Sequence, residues 1–226
     1  MTKLLVIDAV TPACSVALFA NNMLIASDYA DLGRGHAERL VPMIAALPDR
    51  GHADTIAVNC GPGSFTGIRV GLSAAKALGI AWNVPVHGYS CLALVAHMAA
   101  QSGADGALSV VMQAGHGELF VQNFLIRKGQ AMTEPETGIV SVAPGEAMQI
   151  TAGRPVYGSG IDMLDGHPST LHGKSLLPDA RLFPAMQAGF ADQSPSPIYV
   201  RAPDAKPASA NPVNRQASPQ AKSAHG

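Results

Sequence analysis

The chain has 226 residues and a formal net charge of -1, which excludes the basic balance of an autonomous nucleic-acid binder, so any link to RNA has to run through a partner. With 47% hydrophobic but only 14% charged and 5% aromatic residues, it can bury one large or two small cores built mainly from Ala, Val, Leu and Gly. Cys14, Cys60 and Cys91 form no CxxC pair and no even framework, and no stretch reads as a signal core or a membrane span, which points to a cytoplasmic protein in a reducing compartment.

Residues 3–7 read as a buried strand, and residues 14–19 and 23–29 as two more, joined by a turn at Asn21 and Asn22, a residue type tolerant of positive φ. The chain thus opens as a three-stranded meander. Residues 36–47 set Ala37, Leu40, Ile44 and Leu47 at helical spacing, with Pro42 expected to kink the helix or to stand in its first turn. A strand beginning at Thr55 ends near Asn59. Residues 61–79, GPGSFTGIRVGLSAAKALG, then form a glycine turn opening into a helix, in which Gly67, Gly71, Ala75 and Gly79 recur every four positions and share one face. A mid-helix glycine costs roughly 1 kcal/mol relative to alanine, so this row implies an unusually close neighbour. That neighbour is either the chain's own core or a second subunit.

A strand at 84–88 and a helix at 91–100, with Ser90 as its N-cap, complete the first half. The alternation of strands and helices after a meander predicts a mixed sheet flanked by helices, its later strands parallel. This is the ribonuclease H-like half of the actin and sugar-kinase architecture. Residues 101–103 are a natural boundary. Beyond it, strands at 107–112 and 119–126, a turn at 127–130, a short helix at 143–150 and a strand at Val156 and Tyr157 running into Gly158, Ser159 and Gly160 suggest a smaller, degenerate α/β lobe. The expected organisation is therefore a lobe at 1–102, a second at 103–201, and a tail at 202–226. In that tail the only aliphatic side chain larger than alanine is Val213, so it is expected to be disordered.

The loop at 61–67 invites comparison with phosphate cradles, but no Lys-Ser or Lys-Thr follows Gly67, and no acidic residue stands about twenty positions on to meet a ribose. Ser64 and Thr66 read better as capping residues. Asp8, at the end of the first strand, occupies the place where this architecture's kinases hold a metal-nucleotide phosphate. The turn after it, Ala9 to Pro12, has no glycine, which favours a structural or vestigial role. Asp8, Gly61 and Gly63 are the candidate nucleotide contacts. No histidine pair has metal-binding spacing, His167 and His172 being five apart in a loop-like stretch. Pro62 and Thr66 flank Ser64 where a hydrolase elbow needs glycine.

Taken together, Ile7 and Asp8 followed by Ala13 to Leu18, the helix from His36 to Ile44, the run from Gly61 to Gly71, Gly117 to Phe120, and Pro197 to Arg201 resemble the TsaB family, also called YeaZ, over about residues 3 to 201. The resemblance implies the two-lobed actin-like (ASKHA) fold with a degenerate second lobe and no catalysis by this chain alone. It implies a scaffold that pairs with a TsaD-type catalytic subunit and a TsaE-type ATPase to place a threonylcarbamoyl group on adenosine beside the anticodon of tRNAs reading A-starting codons. By the same resemblance His36, Arg39, Leu40 and Ile44 of one helix, and Gly67, Arg69, Gly71 and Ala75 of the next, meet the partner. Homodimers form through related surfaces, tRNA is met only through the complex, and no nucleotide is bound tightly by the chain alone, ATP or ADP being expected at the complex interface. Two features depart from the family pattern. Gln113, Ala114, Gly115 and His116 replace an Asp-Ala-Arg run, and the connection at 48–54 is short. The competing reading is a self-sufficient ATP-dependent kinase or transferase of the same fold; a protease acting on its partner has no nucleophile constellation behind it.

Overall fold

The computed structural model describes residues 1–127, 132–164, 173–185 and 193–200. The meander is present as β1 (Lys3–Asp8), β2 (Ala13–Ala20) and β3 (Met23–Asp31), the turn between the last two using positive φ at Asn21 and Asn22. Next come α1 (His36–Ala46), a short 3-10 turn at Pro48–Gly51, β4 (Thr55–Asn59), α2 (Phe65–Trp82), β5 (Val86–Tyr89) and α3 (Cys91–Gln101). The first sheet runs β3-β2-β1-β4-β5; β1, β2 and β3 are antiparallel, whereas β4 joins β1 and β5 joins β4 in parallel, as helical crossovers require.

The second half supplies β6 (Gly106–Gly115), β7 (Glu118–Arg127), β8 (Met132–Pro135), β9 (Val140–Val142), α4 (Pro144–Ile150) and β10 (Val156–Tyr157). They form a sheet ordered β10-β6-β7-β8, with β9 also paired to β7. Two short 3-10 segments, Ile161–Met163 and Ala180–Ala185, follow. The mixed α/β, actin-like architecture expected from the alternation is the one observed. Most of the turn expected at 127–130, the pair His167 and His172, Arg201 and the tail lie outside the described residues.

The two sheets share a core. Every residue of α3 from Cys91 to Ala99 is buried, and this largely apolar helix packs on β6, β7, β8 and β10 of the second sheet and on the 3-10 segment at Ala180–Ala185, which in turn lies on β1 and β2. Ser90 caps it, accepting from the Ala93 N–H at 3.5 Å. On the other face of the first sheet α1 and α2 pack together, α1 against β2 and α2 against β1, β4 and β5. Ser64 caps α2 by accepting from the Gly67 N–H at 3.2 Å; Thr66 is already inside the helix. Pro42 stands in the middle of α1 rather than in its first turn. It and Glu38 are exposed, so the carbonyl that loses its amide donor four residues back is on the side water can reach.

Candidate functional site

The row Gly67, Gly71, Ala75 and Gly79 faces inward. A Cβ at Gly67 would run into the Ala9 carbonyl, one at Gly79 into the Val86 side chain, and one at Gly71 would lie 3.6 Å from Val58 and 3.7 Å from Ala9. The bare stripe lets α2 approach the chain's own sheet. This corrects the assignment of Gly67, Gly71 and Ala75 as partner contacts, because the space a foreign backbone would need is filled by β1, β4 and β5. The same correction applies to α1. Leu40 and Ile44 are in the core, and buried His36 has Nε2 2.8 Å from the Thr11 carbonyl, pinning the helix start to the turn after β1. Of the eight expected contacts, only Arg39 and Arg69 are exposed.

What the two helices offer outward is a different set. Along α1, Ala37, Val41 and Ala45 are exposed at four-residue spacing, Val41 at 59%. Along α2 the exposed positions are Phe65, Thr66, Arg69, Ser73, Lys76, Ala77, Ile80 and Ala81, with Ile80 at 84%. The Arg69 guanidinium lies 3.7 Å from the centre of the Phe65 ring, and its Nε donates to the Tyr199 hydroxyl at 3.2 Å. Phe65 and Tyr199 are themselves 5.0 Å apart. Tyr199 belongs to the segment 193–200, which reaches the first lobe through Gln193, exchanging backbone bonds with Gly88, and through Ile198, whose N–H donates to the Cys60 carbonyl at 2.8 Å. Sequence reasoning missed Val41, Phe65, Ile80 and Tyr199. For Val41, Phe65 and Ile80 the available signal was apolar residues falling on the polar phase of an otherwise amphipathic helix.

Asp8 sits at the end of β1 as expected, but it is sealed in. It is 1% exposed, and Oδ2 accepts from Asn59 Nδ2 at 2.6 Å and from the Tyr89 hydroxyl at 3.0 Å, while the Val10 N–H reaches Oδ1 at 3.4 Å. Burial pushes its carboxyl up from 3.8 to about 6 against the lowering effect of those donors, and Asp179 adds a smaller upward push. The loop glycines serve the same closure. A Cβ at Gly63 would strike the Val10 carbonyl, and one at Gly61, where φ is +102°, would meet Ile68. The Ser64 N–H donates to Val10 and the Gly61 carbonyl accepts from Cys91. Asp8, Gly61 and Gly63 are thus brought close together, with their surroundings filled by Val10, Tyr89, Ile68 and Cys91 rather than left as an open cradle. Gln113, at the departure from the family pattern, is tied to Ser159, its Nε2 donating to that carbonyl at 3.1 Å.

A family model described as TsaD, tRNA N6-adenosine threonylcarbamoyltransferase, matches residues 30–155. An uncharacterised protein of Mycobacterium leprae is 32% identical over 93% of this chain, which spans 58% of that protein's length. The Escherichia coli tRNA threonylcarbamoyladenosine biosynthesis protein TsaB is 26% identical over 88% of this chain and 94% of its own. Among solved structures, YeaZ from Pseudomonas aeruginosa superposes with a TM-score of 0.73 at 26% identity, covering 88% of this chain and all of that one.

Proposed function

The chain belongs to the TsaB (YeaZ) family, and on that footing we propose that it is the non-catalytic pairing subunit of the assembly that forms N6-threonylcarbamoyladenosine beside the anticodon of tRNAs reading A-starting codons. It binds a TsaD-type catalytic subunit, a TsaE-type ATPase acts on the pair, and tRNA is met through the assembly. The observation that carries this reading is the outward face of α1 and α2. Val41, Ile80 and the Phe65–Arg69 pair are exposed on two helices, α2 seated on the sheet through its glycine row and α1 through its buried His36, Leu40, Met43 and Ile44, so apolar positions with an arginine and an aromatic anchor are held rigidly. A second copy of the chain could use the same face, and a homodimer would then compete with the functional pair.

The sealed carboxylate supports the absence of chemistry in this subunit. A phosphate-bound metal needs an open carboxylate, whereas Asp8 is sealed under the chain's own atoms. No nucleotide is then held tightly at Asp8 by this chain alone, and ATP or ADP enters there against the partner. The test is to mix the purified chain with a TsaD-type subunit, follow size-exclusion elution, and assay tRNA modification with and without the ATPase. Co-elution, with modification only when all subunits are present, is expected. ATP turnover by the isolated chain would instead favour the kinase or transferase reading.

A further inference from the structure

A cleft of about 620 Å³ opens beside the C-terminal ends of α1 and α2, lined by Leu47, Asp49, Arg50, His52 and Trp82. That size falls in the range of small-ligand sites. Trp82 is half-buried, and its ring centroid lies 4.9 Å from that of exposed His52, the two rings tilted by 40°. Asp49 and Arg50 are both left-handed, with φ of 54° and 53°, and Gly51 follows at 73°. An aspartate is eased into that conformation by its short polar side chain, but an arginine is not. Strain of this kind collects where a side chain has to be presented in one direction. Arg50 is exposed and has no ion-pair partner among the described residues, whereas Asp49 is neutralised by Lys3, 3.2 Å away.

We propose that this cleft binds a single nucleotide unit, with the base against the Trp82 and His52 rings and the phosphate on the Arg50 guanidinium. Paired aromatic rings accept the flat face of any base, and a planar guanidinium matches two phosphate oxygens at once. The ends of two helices would by themselves disfavour an anion. Here the Asn83 N–H takes up the Gly79 and Ile80 carbonyls and the Leu47 N–H takes up that of Ile44, so the full charge of Arg50 outweighs the residual partial charges. The unit comes either as a free mononucleotide or as an unpaired residue of an RNA strand. The RNA source rests on the pairing-subunit reading, since the cleft lies two residues from Ile80 at the rim of the proposed docking face.

Trp82 is the only tryptophan in the chain, so its emission reports on this cleft without a label. The full-length chain is titrated with AMP, with a short single-stranded RNA, and with inorganic phosphate. Saturable quenching by AMP or RNA and none by phosphate at equal concentration is expected. Tighter quenching by RNA identifies the strand as the source, and quenching by AMP alone identifies the free nucleotide. Arg50→Gly is expected to weaken binding about tenfold, the size of one charge-assisted hydrogen bond, while its melting temperature stays level or rises because glycine relieves the left-handed backbone. A binding loss in that variant therefore cannot come from unfolding. Absence of saturable quenching by both nucleotide and RNA, equal quenching by phosphate, or wild-type affinity in Arg50→Gly overturns the proposal. Because the titration uses this chain alone, its failure leaves the co-elution test untouched.

Discussion

Asp8 shows how one buried carboxyl couples the fold to pH. Its folded value of about 6 lies above the ordinary 3.8, so the folded state holds its proton more tightly than the unfolded chain. The stabilising contribution is fully present below about pH 4 and is lost as pH rises through 6. The two values differ by about two units, so the loss is about 3 kcal/mol. Buried His97 on α3 acts oppositely. Desolvation lowers its value, so it favours folding above about pH 6.5 and its contribution falls as pH drops. Total stability mixes the two effects, and a difference against a variant separates them. Asp8→Asn is expected to lose the wild type's decline between pH 4.5 and 7.5 relative to itself and to be at least as stable at pH 7.5, read from urea midpoints at each pH. An Asp8→Asn curve parallel to the wild type across that range would show that Asp8 stays ionised. Tyr89→Phe, which removes the hydroxyl donor to Oδ2, is expected to move the Asp8 midpoint further upward.

Within α2 the four small residues are not equivalent, and the differences are measurable. Gly71 has room for a methyl group, at ordinary contact distance from Val58 and Ala9, whereas Gly67 abuts the Ala9 carbonyl and Gly79 abuts Val86. Gly71→Ala is therefore expected to be neutral or to stabilise by up to about 1 kcal/mol through helix propensity. Gly67→Ala must push the helix off the turn after β1, at a cost of about 1 to 3 kcal/mol. Thermal melts of the two variants check both, and equal behaviour would mean that α2 does not seat on the sheet as described. Gly71→Leu belongs with the damaging changes, since its extra atoms enter the core between Val58 and Ile7. The outer edge of the helix is also tied down, because Arg69 and Phe65 hold Tyr199. Tyr199→Ala is expected to leave the melt within about 0.5 kcal/mol but to speed proteolysis near 193–200, which limited digestion followed by mass spectrometry would reveal.

For the whole molecule, the decisive feature is that one pair of helices has a buried core side and an exposed outer side. Changes on the outer side should leave the monomer intact. Val41→Glu combined with Ile80→Glu is expected to keep the wild-type melting temperature, both positions being exposed, yet to abolish co-elution with a TsaD-type subunit by setting charges in an apolar contact. Unchanged co-elution would remove the docking face from these helices.

The first half of the chain was legible because its signals are local. Apolar periodicity placed the strands and helices, asparagines marked the turn of the meander, and Ser64 and Ser90 announced the starts of α2 and α3. The second lobe's main strands and short helix could be read in the same way, while the brief strands β8 and β9 carried too few residues to show a period. The role of each face could not be read. Four-residue spacing determines that Gly67, Gly71 and Ala75 share a side of the helix, but not what lies opposite, and the same spacing suits a sheet of the same chain or a foreign helix. The fate of Asp8 was equally out of reach, since its partners Asn59 and Tyr89 come from 51 and 81 residues away. The sequence by itself determined the order and kind of the longer elements and the family, because those follow from neighbours along the chain. Only the tertiary structure decided that the glycine row is a seam inside the molecule, that the carboxylate is closed in, and that Val41, Phe65 and Ile80 stand exposed, because burial is set by whatever the fold brings across from elsewhere.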